Sequence, residues 1–283
     1  MTAPPASAAG SFAIGGDLPV HRLGFGAMRL KRASAEPTPD EREAAYAVLR
    51  RAVELGVTLI DTAPLYGPSE DLIGEAFPTY PDGVHIATKV GIVHTGDAFV
   101  HRGRPEQIRE DCERSLRRLH LDVIPLSQLH DIDPDVPIEE SVGGLAELQR
   151  EGKVHHIGLS NVDVDQLRRA QAVAPIASVQ NRFSLAQRAS ADVLAVCAAE
   201  GIAFLPWQPL AHDGLSPDGD RALADAATRL DATPRQIALA WVLGHSPVVV
   251  AIPGTGSIAH LEENVDAARL ELTPDERAAL DAA

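Results

Sequence analysis

The segment VTLIDTAPLYG, residues 57–67, begins as a short apolar run and ends in a polar turn. Its apolar part, VTLID, shows no strict alternation of apolar and polar residues, which is typical of a β-strand that is covered on both faces. Asp61 closes this run, and Tyr66 lies in the turn that follows. The segment therefore predicts a buried parallel strand whose carboxyl end presents an acid and a phenol.

Two apolar runs further along the chain end in the same way. VHIATK (84–89) ends on Lys89, and VIPLSQLH (123–130) ends on His130. The other strand candidates are RLGFG (22–26), VHHIGLS (154–160), IASVQ (176–180), IAFLPW (202–207) and VVVAIP (248–253). Together with VTLID they make eight predicted strands.

Helical patterns, marked by apolar residues three or four positions apart, separate the strands and include residues 104–119, 138–151, 219–230 and 233–244. We interpret the pattern at 219–230 as an extra helix in the loop after the seventh strand. Upstream of the first strand, SFAIGGDLPV (11–20) predicts a β-hairpin that turns at Gly15 and Gly16. Residues 1–10 are expected to be flexible.

Eight strands that alternate with helices predict a (β/α)8 TIM barrel of the α/β class, and the 283 residues are expected to form a single domain over 1–283. The competing fold is a doubly wound open sheet. That fold should carry a G-x-G-x-x-G turn after the first strand. LGFGAMRL (23–30) has only Gly24 and Gly26, so the pattern favours the barrel.

Composition excludes several classes of partner. The formal net charge is −15, which argues against nucleic acid and against an anionic membrane surface. The N-terminus has no secretion-signal pattern, and no apolar run approaches the roughly 18 residues that span a bilayer. We therefore expect a cytoplasmic protein. Cys112 and Cys197 lie on apolar helical stripes and are predicted to be buried thiols.

The polar strand ends form a proton-transfer set. An unpaired carboxylate at Asp61 would be costly among buried residues, so we expect Lys89 to be its cationic partner. A nearby ammonium favours the phenolate, so we predict that it lowers the pKa of Tyr66 from about 10 and improves its action as a general acid. His130 is expected to orient a carbonyl oxygen. A structural Asp61–Lys89 salt bridge and a structural His130 are the alternatives.

None of these side chains supplies a nucleophile for a carbonyl carbon, so a hydride donor is implied. Ser160 and Asn161 end the fifth strand and Gln180 ends the sixth, and their side chains suit a carboxamide. Trp207 follows the seventh strand and offers a flat face to a planar ring. A helix cap, a hydrogen-bonded strand end and a core tryptophan are the respective alternatives.

The segment AIPGTGSIAHLEEN (251–264) leaves the eighth strand and enters a helix near Ser257. The backbone N–H groups of a glycine-rich turn and of a helix N-terminus suit a phosphate group, and barrels often bind phosphate after strands seven and eight. The segment therefore predicts a phosphate site. A simple tight turn is the alternative.

These motifs together resemble those of the aldo-keto reductase family, in the family's order, from about Arg22 to the C-terminus. The resemblance rests on LGFGAM (23–28), DTAPLYG (61–67), ATK (87–89), QLH (128–130), GLSN (158–161), SVQNRF (178–183), PWQPL (206–210) and IPGT with HLEEN (252–264). It implies a monomeric, NADPH-dependent reductase of small aldehydes or ketones without a metal ion. GFGAMRL and IPGT…AHLEEN are similar to bacterial pyridoxal-reductase-like members.

The resemblance implies catalytic roles for Asp61, Tyr66, Lys89 and His130, with Tyr66 as the general acid. The cofactor-binding residues that it implies are Gly26, Ala27, Met28, Asp61, Ser160, Asn161, Gln180, Trp207, Pro209, Leu210, Gly254, Thr255, Ser257, His260, Glu263 and Asn264. Within this set, Glu263 and Asn264 are expected at the adenine, and the stretch from Gly254 to His260 at the adenosine phosphate.

The chain departs from the family pattern at two positions that grip the 2′-phosphate of NADPH. Many members have a lysine directly after Ile-Pro and an arginine six residues later, where this chain has Gly254 and His260. A neutral histidine is a weaker anchor than a guanidinium, so we predict NADPH as the cofactor and keep NADH as an alternative. Trp207 replaces a usual tyrosine or phenylalanine and preserves stacking.

Two other functions are open at this point. A non-catalytic NADPH-binding regulatory subunit is compatible with the same fold, because fold does not determine function. A metal-dependent barrel hydrolase would need an H-x-H motif after the first strand, which LGFG lacks, and His155–His156 stand at the start of the fifth strand, away from the catalytic face. Substrate specificity is expected to lie in the loops at 29–38, 91–103 and 211–220.

Overall fold

The computed structural model describes residues 6–30, 36–95, 98–212 and 214–282. The chain begins with a 3-10 turn, Ala6–Ala9, followed by the antiparallel hairpin of β1 (Ser11–Ile14) and β2 (Leu18–His21). Gly15 and Gly16 form the turn with φ of 64° and 91°, a region that glycine enters without a steric penalty. The predicted N-terminal hairpin is confirmed.

The flexibility expected of residues 1–10 stays a prediction, and the described part of this segment is anchored at Ala6. Ala6 is fully buried, and its backbone N–H donates to the carbonyl oxygen of Leu55 at 2.6 Å. The described chain therefore contacts the rest of the molecule from its first residue, Ala6. Residues 1–5 lie outside the described residues.

Seven parallel strands form the central sheet. In spatial order they are β3 (Phe25–Gly26), β4 (Leu59–Asp61), β5 (His85–Val90), β8 (Ile124–Leu129), β9 (Val154–Ser160), β10 (Ser178–Gln180) and β11 (Ala203–Phe204). Between β5 and β8 in the sequence, β6 (Ile92–Thr95) and β7 (Ala98–His101) form a separate antiparallel hairpin. We predicted this stretch only as a loop.

The segment 249–254 closes the sheet into a barrel. Val249 forms a parallel bridge with Phe204 on one side, and Ala251 and Gly254 form parallel bridges with Leu23 and Gly26 on the other. The closure is continued by backbone hydrogen bonds, such as the one from the N–H of Gly24 to the carbonyl oxygen of Ala251 at 2.8 Å. The predicted (β/α)8 barrel is therefore confirmed, with this segment as its eighth strand.

The closing seam requires glycine at position 254. A Cβ on Gly254 would lie 2.6 Å from the carbonyl oxygen of Gly26, which is itself held in the seam. We expect Gly254→Ala to destabilise the fold by about 1–3 kcal/mol, measured by urea unfolding, because backbone must move against backbone.

The matched control for this seam is Gly143→Ala. Among the described residues, nothing lies within 4 Å of a Cβ at Gly143, which is in a helix interior. At that position the change to alanine should raise the free energy of unfolding by roughly 0.5–1 kcal/mol. A Gly254→Ala protein as stable as the unaltered protein would contradict the tight closure.

Helices cover the outer face of the barrel. They are α1 (Pro39–Glu54), α2 (Ser69–Ala76), α3 (Pro105–Arg118), α4 (Ile138–Arg150), α5 (Val164–Gln171), α6 (Ala191–Glu200), α7 (Pro217–Leu230), α8 (Pro234–His245), α9 (Ile258–Asp266) and α10 (Pro274–Asp281). The extra helix after the seventh strand is α7. Within the described residues, none of these helices has the length and apolar character to cross a membrane.

The core has two layers. The larger layer lies between sheet and helices and contains Cys112 and Cys197, both free and buried as predicted, with burial raising the pKa of each thiol to about 12. The smaller layer fills the barrel interior, where Ile14 and Val20 of the hairpin pack with residues such as Leu126. The hairpin therefore plugs the amino-terminal end of the barrel, and the carboxyl ends of the strands are left for a site.

Candidate active site

A buried ion pair lies at the carboxyl ends of β4 and β5. The Nζ of Lys89 is 2.9 Å from Oδ1 and 2.8 Å from Oδ2 of Asp61, and it also donates to the carbonyl oxygen of Thr62 at 2.9 Å. Lys89 is fully buried and Asp61 is 2% exposed. The cationic partner expected for Asp61 is therefore Lys89.

Tyr66 covers this ion pair. It ends the 3-10 turn Pro64–Tyr66 that follows β4, and the Nζ of Lys89 lies 4.9 Å from the centroid of its ring. The ring of His130, the residue after β8, meets the Tyr66 ring edge-on with 5.8 Å between centroids. The structure thus brings together the four residues predicted from the strand ends.

The pKa of Tyr66 differs from the prediction. Burial raises it above the ordinary value, and the Lys89 ammonium lowers it by less than burial raises it. The predicted net lowering is therefore wrong, although the ammonium acts in the predicted direction. As a result, the phenol keeps its proton throughout the neutral pH range.

Lys89 remains charged in this setting. Burial, the largest single cause, lowers the pKa of the ammonium, but Asp61 and Tyr66 together raise it by more, and the net pKa lies above the ordinary lysine value. The site therefore keeps a fixed positive charge directly beneath the Tyr66 ring.

His130 is neutral in the same surroundings. Burial and, secondly, the Lys89 ammonium lower its pKa to about 3. Its Nδ1 is buried and has no hydrogen-bond partner among the described residues. Because a buried N–H without a partner is rarer than an unpaired acceptor, we assign the proton to Nε2. His130 is then a neutral hydrogen-bond donor beside Tyr66.

Two amides complete the shell of Asp61. The Nε2 of Gln180 donates to Oδ1 of Asp61 at 2.7 Å, and the Nε2 of Gln128 donates to the same oxygen at 3.2 Å. Gln180, predicted at a carboxamide, thus contacts the ion pair in this structure. Gln128 was missed, although it lies in β8 two residues before His130, a spacing that directs side chains of an extended chain to the same face.

Hydrogen bonds join the ends of β8 and β9 to the segment after β11. Asn161 has a left-handed φ of 58°, and its Nδ2 donates to the carbonyl oxygen of His130 at 3.1 Å. The Nε1 of Trp207 donates to Oδ1 of Asn161 at 3.0 Å, and Oγ of Ser160 donates to the carbonyl oxygen of Gln180 at 2.8 Å. These bonds orient the half-buried Trp207 ring beside the strand ends.

Arg182 is a second residue that sequence reasoning missed. Its guanidinium lies 5.5 Å from the centroid of the Trp207 ring, and the two residues form a parallel backbone bridge. Its position two residues after Gln180 in the same motif was the available signal. Pro209 is buried and Leu210 half-buried in the turn that follows Trp207.

The loop after β3 runs along the same end of the barrel. Gly26 and Ala27 are buried, and Met28 is 64% exposed. Gly26 pairs with Gly254 across the closing seam, so the glycine at 254 serves the closure of the barrel. This pairing gives a physical reason for glycine where the family often has lysine.

The predicted phosphate segment is a capped helix start. Ser257 is the N-cap of α9, its Oγ accepts from the N–H of His260 at 3.5 Å, and its own N–H donates to Oγ1 of Thr255 at 3.0 Å. The carboxylate of Glu263 accepts from Oγ1 of Thr233 at 2.6 Å, and Asn264 is buried. In this structure Glu263 is therefore directed toward α8.

Comparison with known proteins agrees with this architecture. The model of the Aldo/keto reductase family matches residues 22–283. The chain belongs to the aldo/keto reductase family. Membership makes it an oxidoreductase.

Three relatives of this aldo-keto reductase span nearly its whole length. An uncharacterised oxidoreductase of Schizosaccharomyces pombe is 45% identical over 98% of this chain and 90% of its own. Pyridoxine 4-dehydrogenase of Escherichia coli is 40% identical over 93% of this chain and 94% of its own. A Klebsiella pneumoniae aldo-keto reductase, solved in complex with NADPH, superposes with a TM-score of 0.80 at 30% identity over 100% of this chain and 95% of its own.

Proposed function

We propose that this aldo-keto reductase reduces an aldehyde or ketone to an alcohol with NADPH and that Tyr66 donates the proton. The observation that carries the proposal is the Asp61–Lys89 ion pair beneath the ring of Tyr66, beside a neutral His130. A phenol over a buried ammonium is arranged for acid catalysis, whereas a purely structural ion pair needs no phenol above it.

The residues present fit a nicotinamide cofactor. Trp207 offers a flat ring fixed by its bond to Asn161, and Ser160 and Asn161 have carboxamide-compatible groups at the strand ends. The capped start of α9 after a glycine-rich turn suits a phosphate group. Bound NADPH would supply the hydride. The NADPH complex of the Klebsiella pneumoniae relative supports this assignment.

The chain's own residues then handle the proton. His130 donates a hydrogen bond from Nε2 to the carbonyl oxygen, which orients the substrate and polarises the bond. Tyr66 transfers its phenolic proton to that oxygen as negative charge develops there. The Lys89 ammonium stabilises the phenolate that is left, and Asp61, held by Gln128 and Gln180, keeps the ammonium in place.

The loop at 91–103, where substrate specificity is expected, exposes an aromatic side chain, whereas its arginine is paired with acidic residues. Arg102, one of the cations at 91–103, is paired with Asp111 at 3.1 Å and with Glu110 at 2.6 Å, while Phe99 is 67% exposed on the β6–β7 hairpin. Lys31 and Arg32 of the first loop lie outside the described residues. We infer an aromatic aldehyde, and pyridoxal is the first to test because of the 40% identical pyridoxine 4-dehydrogenase.

The test is an absorbance assay of NADPH and NADH oxidation against a panel of carbonyl compounds that includes pyridoxal. We expect turnover with NADPH and at least one aromatic aldehyde. Cofactor binding with no oxidation across the panel would instead favour a non-catalytic binding protein.

His260 provides a test of cofactor preference. His260→Arg should raise the ratio of kcat/KM for NADPH over NADH about tenfold or more, because a guanidinium makes bidentate, charge-assisted hydrogen bonds to a phosphate. NADH lacks this phosphate and is the internal control. An equal change with both cofactors would show that residue 260 does not contact the 2′-phosphate.

A further inference from the structure

Three potential metal ligands meet at the amino-terminal end of the barrel, opposite the candidate active site. Asp17 lies in the turn of the β1–β2 hairpin, and His155 and His156 lie at the start of β9. One carboxylate oxygen of Asp17 is 2.5 Å from Nε2 of His156, and the other is 3.2 Å from Nε2 of His155. One ligand atom from each residue lies within 4.8 Å of the others.

We propose that Asp17, His155 and His156 bind a divalent transition-metal ion of the zinc class. Two imidazoles and one carboxylate match the nitrogen and oxygen ligands that zinc takes, and three protein ligands leave one position for water. Bonds of about 2 Å in a tetrahedron place ligand atoms about 3.3 Å apart. The distance from Oδ2 of Asp17 to Nε2 of His155, 3.2 Å, already meets this spacing.

The Asp17–His156 pair, now at hydrogen-bond distance, needs to open by less than ~1 Å to admit the ion. The side chains of the three proposed ligands also differ in exposure in a way that suits metal binding. The His156 side chain is 14% exposed, whereas those of His155 and Asp17 are 47% and 60% exposed. One ligand is therefore held in place by packing, and the other two are open to an ion from solvent.

Gly15 fits the hairpin turn over the His156 ring. A Cβ at Gly15 would lie 2.1 Å from Cε1 of His156, so only glycine allows this close approach. The sequence alone predicts no metal ion, because Asp17 is 139 residues from His156 along the chain. The contact forms only when the hairpin plugs the barrel.

A bound ion would link the β1–β2 hairpin to the central sheet. It would join the β1–β2 turn to β9, and the apolar side chains of the same hairpin, such as Ile14, already fill the barrel interior. The site is remote from Tyr66, so its effect is expected on stability and not on turnover. An ion that binds only the folded chain raises Tm as its concentration rises above Kd.

The experiment uses the full-length, tag-free protein after removal of metal by a chelator. Zinc chloride is titrated by calorimetry, Co²⁺ is titrated by visible absorption, and Tm is measured with and without Zn²⁺. The variants are Asp17→Asn and His155→Ala, which alter exposed side chains and leave the packed His156 in place. The matched control is His94→Ala, an exposed histidine at the other end of the barrel.

We expect one ion per chain, a tetrahedral Co²⁺ spectrum and a zinc-dependent rise of Tm in the unaltered protein. Both ligand variants should lose affinity about 10–100-fold or more, since loss of an outer-shell partner alone has that effect, and His94→Ala should behave like the unaltered protein. The proposal would be overturned if the unaltered protein failed to bind stoichiometric Zn²⁺, or if Asp17→Asn and His155→Ala bound Zn²⁺ as tightly as the unaltered protein. Asp17 would then be only a hydrogen-bond partner of the two histidines.

Discussion

Tyr66→Phe is expected to lower kcat for aldehyde reduction by about 10²–10⁴-fold, the usual contribution of general acid catalysis. The change removes the phenolic proton above the Lys89 ammonium and keeps the aromatic ring that packs against His130. The dissociation constant for NADPH, measured by quenching of tryptophan fluorescence, should stay within about twofold, because Tyr66 is not in the proposed cofactor site.

The matched control for Tyr66→Phe is Tyr80→Phe. The hydroxyl of Tyr80 donates to the carbonyl oxygen of Leu119 at 2.6 Å, so this variant loses a phenolic hydroxyl at a position with no proposed catalytic role. Its kcat should remain near that of the unaltered protein. Near-normal turnover by Tyr66→Phe would remove the general-acid assignment.

Lys89→Met should damage both stability and activity. Removal of the ammonium leaves the Asp61 carboxylate buried without a cation, which typically costs about 3–5 kcal/mol of unfolding free energy. The pKa of Tyr66 should rise further, since the ammonium is the group that lowers it, and the phenolate formed during reduction loses its stabilising charge. We therefore expect severe loss of kcat together with a lower urea midpoint.

A double variant separates these two effects. Asp61→Asn combined with Lys89→Met removes both charges, so it should be more stable than Lys89→Met alone while turnover stays low. Arg150→Met is the surface control, because its side chain is 74% exposed and 3.8 Å from Glu147, and it should change stability by less than about 1 kcal/mol. A double variant no more stable than Lys89→Met would contradict the buried-charge explanation.

The sequence was sufficient for features that depend on local pattern. Short apolar runs that end on Asp61, Lys89 and His130 predicted both the strands and their shared end, since parallel strands bring their carboxyl ends to one face. The capping box at the start of α5 is equally local, because Asp163 and Gln166 stand three residues apart in the sequence. The helix after the seventh strand is another feature of this kind.

Features that depend on distant contacts were not predictable in this way. The β6–β7 hairpin has short strands whose pattern also suits a loop, and the seam between Gly26 and Gly254 joins residues that are far apart in sequence. The sign of the net pKa shift of Tyr66 depends on how deeply the phenol is buried, which the sequence does not reveal. The amides of Gln128 and Gln180 around Asp61 likewise depend on contacts between residues that are far apart in sequence.

The proposed chemistry is tested most directly by following the hydride and its dependence on Tyr66. The protein is incubated with pyridoxal and NADPH that carries deuterium at both C4 positions, and the alcohol product is analysed by mass spectrometry. We expect one deuterium on the former carbonyl carbon, formed at the full rate by the unaltered protein and at a small fraction of it by Tyr66→Phe. An alcohol product without deuterium, or equal labelling rates in the two proteins, would contradict the account.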